Sequence, residues 1–536
     1  MKIIKPFLLV GSLALVLTSC GGGAEILSTP LENIDIVALK EADLTENQKN
    51  NWSHLDLVKD TIPGMSVDKA YAEIIKGKSG KTVIVAVIDS GIDINHEDLN
   101  GVIWTNKKEI AGNGIDDDKN GYIDDIHGWN FLGDGYDEQL EMTRMVANGD
   151  TSVPHFTEAK TGLEEGIAGM VPTKTRYEQI YASLVAADTD FTAHFKTADY
   201  TSDQVKNLET TDEKLSQHKE VAAQMVGFGL TSIQVAKKEL KGALDGLVGR
   251  LNTNYNVDFK GRTTDDNPDD FNDKPGYGNA NVLPIAEDEI HGTHVTGIIA
   301  AVRDNGKGAN GVANNVKIMS IRAVPNGDEY DKDVAKAIRY AVDNGAQVIN
   351  GSFGKSFSPH SDWVRAAIKY ASDNNVVFVH AAGNSGEDVD TEPNFPDDNV
   401  NYVEVSNSYI RVGSLASKYG SSMVSGFSNY GNKNVDVFAP GSQIYSTFPN
   451  NEYKAISGTS MASPAVAGIA ALIWSQYPKL TAAQVKQIIM DSGLPINQKV
   501  VVGGDADDVR DFGTLSKSGK MVNVYNALIM AQQLSK

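Results

Sequence analysis

Short apolar runs alternate with stretches of helical period along much of this chain. Residues 82–88 form a continuous apolar run, rich in β-branched side chains, that ends at Asp89, Ser90 and Gly91. A run without polar interruptions is typical of a strand buried on both faces of a parallel sheet. We therefore predict a strand here, with a polar turn at its carboxyl end.

The same rhythm continues to the end of the chain. Further strands are predicted at residues 316–323, 347–350, 376–381, 409–413 and 435–438, and helices at residues 333–344, 362–373, 460–476, 481–491 and 522–533. Thr481 is suited to cap the fourth of these helices. Strands that alternate with helices predict an α/β protein, a three-layer αβα sandwich with a mostly parallel sheet.

Residues 134–285 interrupt this rhythm with patterns of helical period and few strands. Apolar residues recur there at spacings of three and four, at Tyr177, Ile180, Tyr181, Leu184 and Val185, and at Ala236, Leu240, Ala243, Leu244, Leu247 and Leu251. Such spacings predict amphipathic helices. We interpret residues 134–285 as an α-helical insertion into a main domain made of residues 76–133 and 286–536.

The amino-terminal residues predict export and lipid attachment. Lys2 and Lys5 precede a short apolar run at 7–17, too short to span a bilayer, which predicts a signal peptide over residues 1–19. Small residues directly before Cys20 resemble a bacterial lipobox, which implies cleavage before Cys20 and acylation of its thiol. The alternative is an ordinary signal peptide with a chance cysteine. Residues 20–75 are predicted to be a tether and an amino-terminal arm, without a globular inhibitory propeptide.

The composition and the net charge restrict the partners that the protein can bind and the cell compartment in which we expect it. Cys20 is the only cysteine of the 536 residues, so no intrachain disulfide can form. The formal net charge of −22 argues against a nucleic-acid partner, because phosphate binding needs a basic surface. An aspartate directly after Cys20 would resemble an inner-membrane retention signal, but residue 21 is a glycine. We therefore expect a secreted protein of the bacterial cell envelope, anchored in the outer membrane, on its periplasmic or its surface face.

Three polar segments carry the chemistry. Asp89 ends the first strong strand, while His291 and Ser460 each open an apolar helix, in the segments His-Gly-Thr-His-Val-Thr-Gly and Gly-Thr-Ser-Met-Ala-Ser-Pro. A serine hydroxyl is a weak nucleophile that needs an imidazole to take its proton, and the imidazole needs a carboxylate to fix its tautomer. Sites of parallel sheets lie beyond the carboxyl ends of the strands, so the three segments can converge there.

The order aspartate, histidine, serine with these flanking residues resembles the subtilisin (subtilase) family of serine proteases, whose known chain order this is. The resemblance covers about residues 75–130 and 285–530. It implies a subtilisin-like fold, a serine endopeptidase acting on polypeptide substrates, and no organic cofactor. It also implies that Asn384 helps to stabilise the oxyanion. A substrate is expected to bind as an extra strand along Ser352, Phe353 and Gly354, with an apolar pocket near Ala381, Ala382 and Gly383.

Other interpretations of these segments concern their histidines and the function. His294 and His380 are interpreted as structural histidines, not as the base. A metalloprotease is disfavoured because no His-Glu-x-x-His segment occurs. The alternative function is a non-catalytic surface interaction protein that uses a protease scaffold and binds through the insertion. The sequence leaves the natural substrate and the oligomeric state open.

An acidic segment at residues 113–125 is a candidate calcium site. Oxygen-bearing side chains alternate around Gly121, a pattern that suits calcium and resembles the start of an EF-hand loop. It departs from that loop at His127, where a bidentate glutamate is expected. The candidate ligands are Asp116, Asp118, Asn120, Tyr122, Asp124 and Asp125. A structural calcium ion is predicted, and the alternative is an acidic turn exposed to water.

Overall fold

The computed structural model describes residue 40, residues 42–274 and residues 276–536. Its α-helices are α1 (Glu46–Asn51), α2 (Leu57–Asp60), α3 (Val67–Ala70), α4 (Glu141–Asn148), α5 (Phe156–Phe195), α6 (Ser202–Lys206), α7 (Glu213–Gly227), α8 (Ile233–Asn252), α9 (His291–Ala300), α10 (Asp331–Asp343), α11 (Ser361–Asp373), α12 (Thr459–Gln476), α13 (Ala482–Ser492) and α14 (Val524–Leu534). Its strands are β1 (Val83–Asp89), β2 (Gly128–Asn130), β3 (Val316–Arg322), β4 (Val348–Gly351), β5 (Val377–Ala381), β6 (Asn399–Val400), β7 (Val403–Glu404), β8 (Tyr409–Leu415), β9 (Val437–Pro440), β10 (Ile444–Phe448), β11 (Glu452–Ile456), β12 (Leu494–Pro495), β13 (Lys499–Val502), β14 (Asp505–Asp511) and β15 (Lys520–Met521).

The main sheet of the described residues has nine strands in the order β12-β15-β9-β8-β5-β4-β1-β3-β2. Its neighbouring strands run parallel, except for the antiparallel pair of β12 and β15. Strand β1 lies between β3 and β4, and its last residue, Asp89, is in register with Arg322. Asp89 therefore lies at the carboxyl end of an interior strand of the sheet.

Helices cover both faces of the sheet. Val83, Val85 and Val87 of β1 belong to the hydrophobic core that includes α9 and α12. Ala86 and Ile88 point to the opposite face and join the core beneath α10 and α11. Because successive side chains of a strand alternate between faces, a run that is apolar at every position needs both layers. The predicted three-layer αβα fold is confirmed.

The predicted elements of this layered region occur within a few residues of their expected bounds. Thr481 caps α13 as predicted, since its side chain accepts from the Gln484 backbone N–H in a capping box. Two antiparallel hairpins, β10 with β11 and β13 with β14, were not predicted. Strands β11 and β14 are largely exposed, so they lack the apolar run that marks the central strands.

The amino-terminal arm packs against the main domain. Trp52 is 2% exposed, and its indole N–H donates to the Ser442 carbonyl at 3.1 Å. At the other end of the arm, the Val524 N–H donates to the Met65 carbonyl and the Asn523 amide donates to the Ser66 hydroxyl, both at 2.8 Å. The arm is therefore joined to the start of the last helix.

The helical segment, residues 134–285, contains helices α4 to α8. Helix α5 is 40 residues long with Pro172 in its interior, and α5, α6 and α8 enclose a small core around Leu184, Phe191 and Ala236. Across the described part of the chain, no helix combines the length and apolarity needed to cross a bilayer.

Candidate active site

Asp89 and His291 form the first half of the site. The Asp89 carboxylate is 1% exposed, and its Oδ1 atom accepts from the Ser90 N–H at 2.8 Å and from His291 Nδ1 at 2.7 Å. Its second oxygen is buried with no hydrogen-bond partner among the described residues. With Nδ1–H donated to a buried carboxylate, the neutral imidazole carries its lone pair on Nε2.

The carboxylate also raises the basicity of the ring. Burial lowers the pKa of His291, but the charge of Asp89 and the hydrogen bond to it outweigh burial, so the pKa lies above that of an ordinary histidine. The side chain remains 35% exposed, so Nε2 can be reached from solvent. An accessible imidazole of raised pKa is suited to act as a general base near neutral pH.

A groove of about 280 Å³ opens beside Asp89 and His291. Two short segments line it, residues 325–327, which we call the first wall, and residues 352–354, the second wall. The structure therefore brings the predicted substrate edge, Ser352 to Gly354, next to the imidazole. The first wall was not predicted, although its Pro-Asn-Gly turn, which begins three residues after β3, was an available signal.

Ser460 lies against the second wall at the start of α12. Its hydroxyl donates to the Ser352 carbonyl at 3.2 Å, and the Ser352 hydroxyl donates to the Ser460 carbonyl at 3.0 Å. The Ser460 hydroxyl therefore points to the second wall, and among the described residues it has no hydrogen bond to the imidazole of His291. Because Ser460 is the second residue of the helix, the dipole of α12 favours negative charge beside it.

Asn384 is held by the residue that precedes Ser460. Its Oδ1 atom accepts from the Thr459 N–H at 2.8 Å and from the Thr459 hydroxyl at 3.0 Å. The Gly383 N–H in turn donates to that hydroxyl at 3.1 Å. With the amide oxygen occupied, the exposed Asn384 side chain presents its NH2 group as a donor.

The predicted pocket residues next to Asn384 are largely buried. Ala381 and Ala382 are 3% and 0% exposed, at the end of β5. Gly383 has φ of +103°, and a Cβ atom there would lie 2.4 Å from the amide nitrogen of Asn429. The backbone of this loop, more than its side chains, therefore shapes the surface beside Asn384.

The other two histidines of interest hold backbone atoms. Burial lowers the pKa of His294 to about 4, despite the hydrogen bond from its Nε2 to the Lys454 carbonyl at 3.0 Å. Burial, with the charge of Arg411, lowers the pKa of His380 to about 3. His380 donates to the Phe353 carbonyl at 2.7 Å and so supports the second wall. Both are neutral at physiological pH, and their bonds give them structural roles.

A buried ion pair that sequence reasoning missed lies behind Asp89. Glu289 and Arg322 are 3% and 0% exposed and meet at 2.5 Å. The same Glu289 oxygen accepts from the Gly91 N–H at 2.7 Å. Glu289 therefore fixes the turn that follows Asp89. An arginine at the end of an apolar strand gives no hint of its partner in the sequence.

The acidic segment divides into two groups in the structure. Asp116 and Asp118 come together with Glu109, and one carboxylate oxygen from each lies within 4.8 Å of the others. Asp124 turns away and accepts from the backbone N–H groups of residues 112–114. Asp125 is buried and accepts from Asn106, Asn120 and Tyr340.

This division changes the candidate ligand set. Asp124 and Asp125 lie outside the cluster of Glu109, Asp116 and Asp118. The Asn120 side chain is likewise engaged, with the Tyr122 N–H and with Asp125. The Tyr122 ring packs against Trp129, Phe131 and Tyr340. Glu109, which precedes the acidic segment, was not predicted.

The predicted lipidation site Cys20 lies outside the described residues.

Comparison with known proteins gives consistent matches. The profile described as the Subtilase family matches residues 80–519. A thermophilic serine proteinase of Bacillus sp. (strain AK1) is 40% identical over 239 residues, which are 44% of this chain and 52% of that protein. Thermitase of Thermoactinomyces vulgaris is 37% identical over 239 residues, 44% of this chain and 74% of thermitase. The chain thus spans about half of the first relative and three quarters of the second.

A solved structure also matches, that of a cold adapted subtilisin-like serine proteinase. It is 33% identical and the match covers 41% of this chain and 73% of that one, with a TM-score of 0.35. The fold is identified by the sheet topology and by the family profile.

Proposed function

Since the chain belongs to the subtilase family, we propose that it is a serine endopeptidase that cleaves polypeptides with Asp89, His291 and Ser460. The observation that carries the proposal is the 2.7 Å bond between Asp89 and His291 at a groove whose second wall is hydrogen-bonded to Ser460. The carboxylate and the imidazole thus border the groove, and the Ser460 hydroxyl is hydrogen-bonded to a residue of its second wall.

Acylation begins when the Ser460 hydroxyl rotates from the Ser352 carbonyl to His291. Nε2 accepts the hydroxyl proton as the oxygen attacks the scissile carbonyl carbon, and Asp89 stabilises the imidazolium that forms. The tetrahedral intermediate collapses when the imidazolium donates its proton to the leaving amine. The acyl group remains on Ser460.

Deacylation repeats these steps with water as the nucleophile. His291 takes a proton from water, the resulting hydroxide attacks the ester carbonyl, and Ser460 leaves as its hydroxyl after receiving the proton. In both halves the negative oxygen of the intermediate is stabilised by the Asn384 NH2 group and the Ser460 backbone N–H. Thr459 supports this role because its bonds to the Asn384 oxygen orient the amide before the substrate arrives.

A fluorophosphonate probe tests the proposal, since it reacts covalently only with an activated serine. We expect rapid labelling of the wild type and none of Ser460→Ala. Ser457→Ala is the matched control, an exposed serine three residues away, and should label like the wild type. A wild type that stays unlabelled would favour the non-catalytic interaction protein instead.

We also propose a structural calcium ion beside Glu109, Asp116 and Asp118. Three carboxylates within 4.8 Å of one another offer the hard oxygen ligands that calcium prefers. A bound ion would supply positive charge that offsets the mutual repulsion of these groups, and binding to the folded form alone would stabilise it by mass action.

Elemental analysis and thermal melts test the calcium proposal. We expect calcium in the purified protein, a lower Tm in chelator, and loss of that Tm difference in Asp118→Asn. Asp507→Asn, an exposed aspartate of β14, is the control that should keep the difference. Protein free of calcium, with an unchanged Tm in chelator, would remove the proposal.

For the residues before the described part, we propose lipid attachment at Cys20 and a location in the bacterial outer membrane. The short apolar run and the small residues before Cys20 support this. Growth with a radioactive fatty acid should label the wild type and not Cys20→Ala, which should leave the membrane fraction. A membrane-bound, unlabelled wild type would contradict the lipid anchor.

A further inference from the structure

Three buried charged residues join the helical segment to the walls of the groove. They are Glu141 and Arg144 of α4 and, from the main domain, Lys355; we call them the root cluster. Their exposed fractions are 7%, 6% and 5%. Lys355 directly follows the second wall in sequence. The cluster therefore joins residues of the helical segment to the rim of the groove.

Arg144 holds the chain that follows the first wall. One nitrogen of its guanidinium donates to the carbonyls of Gln139 and Asp328 at 2.9 and 2.8 Å. The other donates to the Glu141 carboxylate at 2.6 Å and to the Glu329 carbonyl at 3.2 Å. Asp328 and Glu329 come immediately after residues 325–327, so Arg144 fixes the end of the first wall.

Lys355 holds the second wall to the same point. Its ammonium donates to the Glu141 carboxylate at 2.6 Å, to the Glu329 carbonyl at 2.8 Å and to Asp331 at 2.9 Å. The Glu141 oxygen that binds Lys355 is the one that binds Arg144. One carboxylate of the helical segment therefore bridges the cations that hold the two walls.

The start of the helical segment also supports the first wall along its length. The Asn326 N–H donates to the Tyr136 carbonyl at 2.8 Å, and the Glu138 N–H donates to the Asn326 carbonyl at 3.1 Å. The Asp328 N–H donates to the Gln139 carbonyl at 3.2 Å. Residues 136–139 thus run beside the first wall and are joined to it by a parallel β-bridge between Asp137 and Asn326.

The charges of the root cluster depend on one another. Burial raises the pKa of Glu141, but the charges of Arg144 and Lys355 outweigh it and lower the pKa to about 2. Glu141 is therefore ionised at neutral pH. Removing one partner of a buried ion pair leaves the other without compensation, so the arrangement is sensitive to single substitutions.

We propose that Glu141 and Arg144 are positioning residues that hold the two walls at the spacing an extended peptide needs. The helical segment then acts on catalysis through the shape of the groove, without touching the reacting atoms. This inference rests on the proposed function for its kinetic consequence, while the bonds between the walls and the root cluster are independent of it.

The kinetic test compares long and short substrates in Arg144→Lys and Glu141→Gln. For a four-residue peptide anilide, which contacts both walls, we expect kcat/KM to fall at least about 10-fold, mainly through KM. For a single-residue ester and for fluorophosphonate labelling we expect changes below about two-fold, since these probes need only the triad. Glu178→Gln is the matched control, because Glu178 pairs with Lys174 on the exposed surface of α5.

Two measurements keep this test separate from the proposed function and from folding. Binding of an uncleaved extended peptide, measured by calorimetry in the Ser460→Ala background, should weaken at least about 10-fold with Arg144→Lys. This readout holds even if the wild type is inactive. Equal losses for long and short substrates, unchanged peptide affinity, or failure of Arg144→Lys to fold would each overturn the positioning role.

Discussion

Helices α12 and α7 are of similar length but differ in how many of their residues are buried. Sixteen of the eighteen residues of α12 are buried, whereas none of the fifteen residues of α7 is. Helix α12 crosses the core and presents Ser460 at its first turn. Helix α7 lies on the helical segment, far along the chain from any residue of the proposed triad.

The difference indicates how the two regions contribute. In the sheet-packed region, close packing on every side fixes the positions of the reacting atoms to within tenths of an ångström. In the helical segment, Glu141, Arg144 and residues 136–139 hold the walls of the groove, while the outer helices do not touch it. We therefore expect substitutions in the first region to have large effects, and those in the outer helices to have almost none.

The largest effect is expected at Asp89. Asp89→Asn should lower kcat about 10⁴-fold, because the amide no longer holds the productive tautomer of His291. His291 must be neutral to accept a proton, so activity falls as pH drops through its pKa. Asp89 raises that pKa, and its loss should move the acidic limb of the pH–rate profile to lower pH. A limb that stays in place would contradict the geometry of the pair.

A smaller effect is expected at Asn384. Asn384→Ala should lower kcat by about 10²- to 10³-fold, or about 2.7–4 kcal/mol of transition-state stabilisation, with little change in KM. Asn267→Ala, in the helical segment, is the control and should leave both constants unchanged. A loss confined to KM would show that Asn384 binds the ground state instead of the oxyanion.

Stability should follow the same division. Leu472→Ala in α12 removes a side chain with 0% exposure and should lower the free energy of unfolding by about 2–5 kcal/mol. Val226→Ala in α7 trims a side chain with 55% exposure and should change it by less than about 0.5 kcal/mol. Chemical denaturation measures both, and similar losses would mean that α7 is covered in solution.

The smallest effect is expected from the surface charges of the helical segment. Lys241 and Asp245 form an ion pair on α8 with both side chains about half exposed. Lys241→Ala should change the free energy of unfolding by at most about 0.5 kcal/mol and leave kcat/KM unaltered, because exposed pairs are screened by water. A marked loss of activity would contradict the expectation that surface substitutions in α8 leave catalysis unchanged.

The sequence predicted the layered fold because its signals are local. The apolar run before Asp89 requires two covering layers wherever it lies, and Thr481 caps its helix through a residue three positions away. The exposed hairpins escaped prediction because a strand such as β14 places polar side chains on both faces and resembles a loop.

The candidate site was predictable where the chemistry resides in short motifs. Asp89, His291, Ser460 and Asn384 stand in such segments. Glu289 and Glu141 do not, because their partners, Arg322 and Lys355, are separated from them by 33 and 214 residues. Contacts of that span are set by the assembled fold, so isolated glutamates in the sequence carry no sign of them.

The bonds between the arm and the start of α14 constrain the order in which the protein can mature. Asn523 is added by the ribosome 457 residues after Ser66, yet residues 65–66 and residues 523–524 are joined by hydrogen bonds. The arm can therefore complete its native hydrogen bonds only after residues 523–524 have been synthesised, so the last step of folding joins two segments that are distant in the chain.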